Sequence, residues 1–205
     1  MFIGEWNKSV ILTYVGLTFA LVGICCVHSG GMEEAYACLI GAGICDLFDG
    51  AVARRCKRNE AQKLFGIQLD SLVDVMSFLA LPVTIGIGVG MRRWYHILVL
   101  VWFSVCGIAR LAFFNVNSET SGKKDEPVSY YRGLPVTYTA LIFPLVYLLK
   151  FALSPVYFII LYTMFMAGVA LLNILDIKVK KPRGMAYLFF ALLAMVLWVV
   201  YLIIL

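Results

Sequence analysis

Stretches of apolar residues alternate with short polar segments along the whole chain. Seven of these stretches are each close to the roughly 20 residues that an α-helix needs to cross the hydrocarbon core of a bilayer. They cover residues 10–27, 35–53, 72–90, 94–116, 134–152, 156–175 and 185–205. The pattern therefore predicts an all-α polytopic membrane helix bundle, with residues 1–205 forming one domain.

The composition agrees with this pattern. Of the 205 residues, 62% are hydrophobic and only 14% are charged, and the mean hydropathy is +0.92. Because charged residues make up about a quarter of an ordinary soluble domain, that class is excluded. The six cysteines form no C-x-x-C pair and lie mostly in apolar stretches, so we expect neither a disulfide framework nor a zinc site.

The basic residues predict how the bundle is oriented. The polar segments 54–68, 117–132 and 176–184, together with Lys8, hold most of the lysines and arginines. Placing the N-terminus in the cytoplasm puts all of these charges on the cytoplasmic side, as the positive-inside rule favours. The net charge of +5 is explained by this arrangement and predicts no nucleic-acid partner.

The sequence does not decide the structure of two polar segments. Residues 1–9 combine apolar and polar side chains, which fits either a short amphipathic segment in the headgroup region or an unstructured lead-in. Residues 118–129 form a polar stretch long enough to be a loop, on the predicted cytoplasmic side.

Four aspartates define the candidate site. Asp46 and Asp49 end the second apolar stretch, and Asp70 and Asp74 begin the third, with one polar turn between them. The spacings of three and four residues put each pair on one helical face. A charged side chain inside a membrane costs about 2.5–3.5 kcal/mol, so such residues usually serve a function. Because Mg²⁺ typically takes one or two carboxylates, four acids predict a site for two divalent cations, Mg²⁺ or Mn²⁺.

Small and basic residues lie next to these acids. Gly50 and Ala53 share a face with Asp46 and Asp49, which either lets two helices pack closely or lets a bulky ligand approach. Arg54 is positioned to bind a phosphate through its guanidinium, although a positive-inside charge is an alternative explanation.

The motif in this region is specific. It consists of Asp46-Leu47-Phe48-Asp49-Gly50-Ala51-Val52-Ala53-Arg54, then eleven residues, then Gly66-Ile67-Gln68-Leu69-Asp70-Ser71-Leu72-Val73-Asp74. It resembles the signature of the CDP-alcohol phosphatidyltransferase family, D-x-x-D-G-x-x-A-R followed by G-x-x-x-D-x-x-x-D, at all eight defining positions. The family commonly has about eight intervening residues, so eleven predict a longer cytoplasmic turn.

The resemblance implies a fold and a chemistry. The expected fold is a six-helix membrane core, to which the seventh stretch adds a C-terminal helix, and the protein is expected to be a homodimer in the cell membrane with its site open to the cytoplasm. The expected reaction moves a phosphatidyl group from CDP-diacylglycerol to an alcohol and releases CMP. The implied metal ligands are Asp46, Asp49, Asp70 and Asp74, with Asp74 also the catalytic base. The implied contacts to CDP-diacylglycerol are Asp49, Gly50, Ala53, Arg54, Gly66 and Asp70.

Within the family, the chain most resembles the phosphatidylserine synthase branch. The matching segments are 69–74, 77–82, 110–115 and 131–135, with departures at Leu79, Phe113 and Thr137. The implied acceptor is therefore L-serine. A serine carboxylate needs a cation near it, and Arg110 and Arg132 are the candidates, with Asn115 as a further possible contact. Arg132 is also explained by topology alone.

Two other functions stay open at this point. Another acceptor, either glycerol 3-phosphate or an inositol phosphate, would use the same chemistry. A cation transporter would also carry intramembrane acids, but we would expect them nearer the middle of the bilayer.

Overall fold

The structure, a computed structural model, describes residues 4–120, 130–180 and 185–203, and within these ranges nearly all of the chain is helical. The helices are α1 (Ile11–Ser29), α2 (Met32–Arg55), α3 (Glu60–Val75), α4 (Leu81–Val89), α5 (Trp94–Thr120), α6 (Thr139–Tyr147), α7 (Pro155–Ile174) and α8 (Met185–Ile203). A π-helical turn, Met76–Ala80, joins α3 and α4 into one continuous helix, and 3₁₀ turns at Val136–Tyr138 and Leu148–Phe151 extend α6. The predicted helix bundle is confirmed.

Five helical segments of the described chain are long and apolar enough to cross a membrane. They are Lys8–Ser29, Met32–Arg55, Glu60–Val89, Trp94–Asn117 and Pro155–Ile174, and two shorter apolar helices cover Val136–Phe151 and Tyr187–Ile203. The protein is thus a multi-pass membrane protein. We call the end of the bundle where α2 meets α3 the acidic end, and the end where α1 meets α2 the opposite end.

Helix α2 lies at the centre of the bundle. It packs against α1, α6 and α8, and its residues 35–42 are almost all buried. Small residues allow this packing, since a Cβ added to Gly16 would lie 3.5 Å from the Cβ of Cys45, and one added to Gly43 would lie 2.6 Å from the Cβ of Ala140. α2 and α6 therefore touch at Gly43.

The opposite end of α2 is tied to α6 by polar and aromatic contacts. Lys150, in the 3₁₀ turn that follows α6, forms an ion pair with Glu33 in the first turn of α2. The phenol of Tyr147 donates a hydrogen bond of 3.3 Å to the same carboxylate, and its ring lies 4.2 Å from that of Tyr36. These contacts hold the two helices together at this end.

The structure corrects the predicted connection between the second and third helices. The third helix begins at Glu60, twelve residues before its apolar stretch, because Asn59 and Gln62 form a capping box at its first turn. Only residues 56–59 connect α2 to α3, so the prediction of a longer turn is wrong. As a result, Asp46 and Asp70 each lie more than two helical turns inside their helices instead of at the ends.

For the N-terminal segment, the described residues 4–10 contradict the unstructured lead-in, and a place in the headgroup region stays a prediction. Residues 4–7 lead into a 3₁₀ turn, Lys8–Val10, and lie against the beginning of α3. The Trp6 ring stacks on Tyr14 at 5.5 Å, and the side chain of Asn7 donates hydrogen bonds to the α2–α3 connection. The segment is thus packed on the bundle. Of the predicted polar loop at 118–129, residues 118–120 continue α5 and the remainder lies outside the described residues.

A short antiparallel two-stranded sheet was not predicted. β1 (Tyr130–Arg132) pairs with β2 (Lys178–Lys180), with Tyr131 opposite Val179. Immediately after β1, the Leu134 amide donates to the Leu172 carbonyl at 2.9 Å, at the end of α7. The two-stranded sheet thereby joins the beginning of α6 to the end of α7 at the acidic end.

Candidate active site

Three aspartates converge between α2 and α3. Asp46, Asp49 and Asp70 each offer a carboxylate oxygen, and these oxygens lie within 4.8 Å of one another. Asp46 and Asp49 share one face of α2 because they are three residues apart, and Asp70 faces them from α3. Like charges at this separation repel strongly, so the cluster needs a cation or a proton among its oxygens.

The donor set fits a hard divalent cation. Mg²⁺ binds oxygen ligands at about 2.0–2.1 Å, so two ligands of one ion lie at most about 4.2 Å apart. The carboxylate oxygens of Asp46, Asp49 and Asp70, all within 4.8 Å of one another, approach this separation. Their chemistry excludes a thiolate-type site and suits Mg²⁺ or Mn²⁺.

Asp74 lies one turn beyond Asp70, at the inner side of the cluster. It is not one of the three carboxylates that share the 4.8 Å separation, but it lines the same narrow cavity as they do. Thr13 of α1 and Ser77 of the π turn also line this cavity. The charge of Asp74 interacts with the guanidinium of Arg110, which is buried in α5.

A larger cavity, of about 300 Å³, opens beside the cluster. Asp46 lies on its wall, and Gly50 and Arg54 continue the same face of α2 toward the acidic end. Among the described residues, and apart from the backbone of α2 itself, the Arg54 guanidinium is the group within 4 Å of a Cβ placed on Gly50, at 3.6 Å, so Gly50 leaves room next to Arg54. The remaining lining is mostly apolar. It comes from α2 itself, from α6 and α8, and from the segment before α6, and it includes Leu47, Pro135, Tyr138, Leu141, Tyr187 and Phe190. One side of the cavity thus carries the Asp46 carboxylate and the Arg54 guanidinium, and most of the rest of its wall is apolar.

Two of the predicted ligand contacts lie away from this cavity. Ala53 and Gly66 line neither cavity described above. The nearest atom to a Cβ on Gly66 would be Nη1 of Arg58, at 3.8 Å. Gly66 therefore leaves room beside Arg58, a residue that the sequence assigned to topology alone.

The three candidates for the acceptor site are split between two places. Arg110 lies close to Asp74, with its guanidinium 4.5 Å from the ring centre of Phe114. Asn115 accepts a hydrogen bond of 2.9 Å from Ser71, the neighbour of Asp70. Arg132, in contrast, is exposed in β1, where its Nε lies 3.7 Å from the carboxylate of Asp176. The structure brings Arg110 and Asn115 to the α3–α5 side of the cluster and leaves Arg132 outside it.

Sequence reasoning missed two residues at the site. Tyr187 was assigned no role, yet it lines the large cavity and its phenol donates a hydrogen bond of 2.6 Å to the carbonyl of Leu47. Ser77 is 1% exposed, and its hydroxyl has no hydrogen-bond partner among the described residues. The π turn that contains Ser77 has no clear signal in the sequence, although such turns are frequent at functional sites.

The sequence profile of the CDP-alcohol phosphatidyltransferase family matches residues 6–205. The chain belongs to this family. The match includes α8, which we expected as an addition to a six-helix core, and in the structure α8 packs on α2 and forms part of the cavity wall. In this member of the family, the last helix therefore contributes to the candidate site.

Several curated proteins are similar to this phosphatidyltransferase. It is 30% identical to an archaetidylserine synthase of Methanothermobacter thermautotrophicus over 85% of the chain and 70% of the relative. It is 36% identical to a CDP-diacylglycerol--serine O-phosphatidyltransferase of Saccharomyces cerevisiae, over 53% of the chain and 40% of the relative. A Helicobacter pylori protein of the same name is 33% identical over 60% of the chain and 50% of that relative. The alignment thus spans half or less of two of these relatives.

Proposed function

We propose that this protein transfers the phosphatidyl group of CDP-diacylglycerol to L-serine, giving phosphatidylserine and CMP. The observation that carries the proposal is the cluster of Asp46, Asp49 and Asp70 at the wall of a cavity that has Arg54 at one end and an apolar lining elsewhere. This combination suits a donor with a pyrophosphate, a nucleotide and lipid tails. The names of the relatives support serine as the acceptor.

The donor would lie with its pyrophosphate next to the acids. Arg54 can bind a phosphate oxygen pair through two parallel N–H groups. Gly50 leaves space for that approach, and the apolar wall formed by α6 and α8 is suited to the diacylglycerol. The family pattern adds Ala53 and Gly66 as contacts to the nucleotide.

The aspartates would hold Mg²⁺ or Mn²⁺, with two ions per protomer because each ion typically takes one or two carboxylates. When bound, such ions neutralise the charge of the pyrophosphate and polarise the phosphorus that is attacked. Asp46, Asp49 and Asp70 are the ligands that the geometry supports, and Asp74 is the fourth ligand that the motif implies.

The transfer needs a base for the acceptor hydroxyl. Asp74 is suited to this role because it lies outside the group of three converging carboxylates while lining the same cavity. It would accept the proton as the serine oxygen attacks the phosphatidyl phosphorus, and the bond from that phosphorus to the oxygen of CMP would break. Arg110 would bind the serine carboxylate, Asn115 would contact the same substrate, and Arg132 stays a candidate for it.

We also propose how the protein is oriented in the membrane and that it forms a homodimer. The basic residues at the acidic end favour the cytoplasm for that end and thus for the site. Insertion in the cell membrane and a homodimer follow from the family resemblance. Mass measurement of the purified protein by light scattering in detergent tests the dimer.

The reaction is tested by measuring CMP release from CDP-diacylglycerol by the purified protein. The assay compares L-serine, glycerol 3-phosphate and myo-inositol phosphate with Mg²⁺ or Mn²⁺, and then with EDTA. Serine-dependent release that EDTA abolishes is the expected result. Release with another acceptor would overturn the serine assignment, and no release with any acceptor would overturn the proposed reaction.

A further inference from the structure

We infer that Asn7 is a positioning residue for the metal-binding carboxylates, because its side chain joins the connection that follows α2 to the beginning of α3. The inference rests on the proposed function, since it concerns the cations that the aspartates would hold. Asn7 belongs to the N-terminal segment, which precedes the first membrane helix and lies outside the motif that points to the site.

The contacts of Asn7 join the α2–α3 connection to the first turn of α3. Its amide nitrogen Nδ2 donates to the backbone carbonyl of Lys57, 3.1 Å away, and to Oε1 of Gln62, 3.0 Å away. Lys57 lies two residues after the end of α2, and Gln62 lies in the first turn of α3. One side chain therefore holds the chain that leaves α2 against the beginning of α3.

Gln62 is itself held firmly. Its backbone amide donates to Oδ1 of Asn59 at 2.7 Å, and its Oε1 accepts from the backbone amide of Asn59 at 3.2 Å. This capping box fixes the Gln62 side chain on the face of α3 that Gly66 and Asp70 continue at spacings of four residues. A displacement at Gln62 is thus carried along a rigid helix to Asp70.

The carboxylates require that rigidity. Asp46 and Asp49 come from α2 and Asp70 from α3, so the separation of the helices sets the distance between the oxygens. Mg²⁺ accepts oxygen ligands only within a narrow range near 2.0–2.1 Å. A shift of about 1 Å between the helices therefore weakens the site, as a loosely supported ligand set does.

The test uses Asn7→Asp. The new carboxylate keeps an oxygen for the backbone amide of Ser9, which Asn7 Oδ1 accepts at 3.2 Å, but it donates nothing to Lys57 or Gln62. The purified full-length protein is titrated with Mn²⁺, and the free ion is measured by electron paramagnetic resonance. We expect the dissociation constant for Mn²⁺ to rise about tenfold, the lower bound for losing a group that orients metal ligands.

Lys63→Ala is the matched control. Lys63 follows Gln62 in the same turn of α3, and its exposed side chain pairs with Glu60 at 2.7 Å. The affinity for Mn²⁺ is expected to stay unchanged in this variant. Equal affinities in wild type and Asn7→Asp would overturn the inference, even if the variant unfolds at a lower temperature, because a purely stabilising residue moves the melting temperature alone.

A second variant keeps the test valid if Asn7→Asp does not fold. Gln62→Met preserves the length of the side chain and removes the acceptor for Asn7, so the Mn²⁺ affinity should fall in the same direction. An unchanged affinity in Gln62→Met would also overturn the inference, as would a wild-type protein that binds no Mn²⁺. A wild type that binds Mn²⁺ without releasing CMP would overturn the proposed reaction. The effect of Asn7 on Mn²⁺ affinity could still be measured in that case.

Discussion

The phenol of Tyr187 in α8 donates a hydrogen bond of 2.6 Å to the backbone carbonyl of Leu47, the residue that follows Asp46 in α2. A helix near the C-terminal end of the described chain is thereby attached to the helix that carries two of the clustered carboxylates. Tyr187 and Asp46 both line the larger cavity, so the bond joins two of its walls.

Tyr187→Phe should weaken the cavity wall without disrupting the bundle. Loss of one partly buried hydrogen bond costs about 1 kcal/mol. If that energy holds the wall in its binding shape, the KM for CDP-diacylglycerol should rise about fivefold while kcat changes little. Steady-state CMP release measures both constants. Tyr157→Phe, at an exposed position in α7, is the control, and an identical KM in Tyr187→Phe and wild type would contradict the prediction.

The guanidinium of Arg54 should not be replaceable by an amine. Arg54→Lys keeps the charge at the cavity but loses the pair of parallel N–H groups that bind a phosphate. We expect KM for CDP-diacylglycerol to rise about tenfold in Arg54→Lys, and further in Arg54→Gln. Arg55→Lys, one residue on and outside the cavity lining, should behave as wild type. Equal values for the Arg54 and Arg55 variants would show that Arg54 contributes only its charge.

Each clustered aspartate should be essential for turnover but not for folding. Asp70→Asn removes the charge of a proposed metal ligand, and a bound cation supplies several kcal/mol to the transition state, so CMP release should fall at least about a hundredfold. Asp74→Asn should cause a similar loss, because it removes the proposed base. Circular dichroism should show unchanged helicity in both variants.

Glu60→Gln is the control for these two variants. Glu60 is an exposed acid in the first turn of the same helix, remote from the carboxylate cluster. The activity of the Glu60→Gln variant should therefore match that of wild type. Substantial activity in both Asp70→Asn and Asp74→Asn would refute the assignment of the metal site.

A methyl group at Gly133 should destabilise the acidic end of the bundle. Gly133 has a φ of +71°, and a Cβ there would lie 2.6 Å from the Asn173 carbonyl oxygen. The left-handed backbone alone costs a non-glycine residue about 1–2 kcal/mol, and the clash adds to this. The melting temperature of Gly133→Ala in detergent should therefore fall by several degrees.

Gly168→Ala supplies the comparison for Gly133→Ala. Gly168 lies in the middle of α7, and no atom would lie within 4 Å of its added Cβ. Alanine is preferred over glycine in a helix interior by about 0.5–1 kcal/mol, so this variant should melt at or above the wild-type temperature. A Gly133→Ala protein as stable as Gly168→Ala would show that the turn after β1 adjusts freely.

Local patterns in the sequence predicted most of the helices. The apolar stretches located all seven helical segments, and the failure at α3 has a local cause. Residues 60–71 mix polar and apolar side chains, so a hydropathy pattern does not register them, whereas the Asn59 and Gln62 capping pair marks the true beginning of the helix.

Contacts between residues far apart in the chain could not be predicted from the sequence. The pairing of Tyr131 with Val179 depends on how α6 and α7 bring residues 48 positions apart together. The approach of Tyr187 to Leu47 likewise depends on the packing of α8 on α2. The approach of Asp70 to Asp46 and Asp49 could be predicted because these residues lie on consecutive helices near the connection between them. The shortness of that connection could not.

The contact between Gly43 and Ala140 is the point where α2 and α6 touch beside the cavity. Toward the opposite end, Glu33 and Lys150 tie α2 to α6, and toward the acidic end the cavity lies between the two helices. At about 1.5 Å per residue, Arg54 lies about 16 Å from Gly43 along α2, so a change of about 5° in the angle between the helices at Gly43 would displace Arg54 by about 1.4 Å. With respect to this contact, α2 has the geometry of a lever, and the place of the Arg54 guanidinium depends on the size of one residue about three turns away.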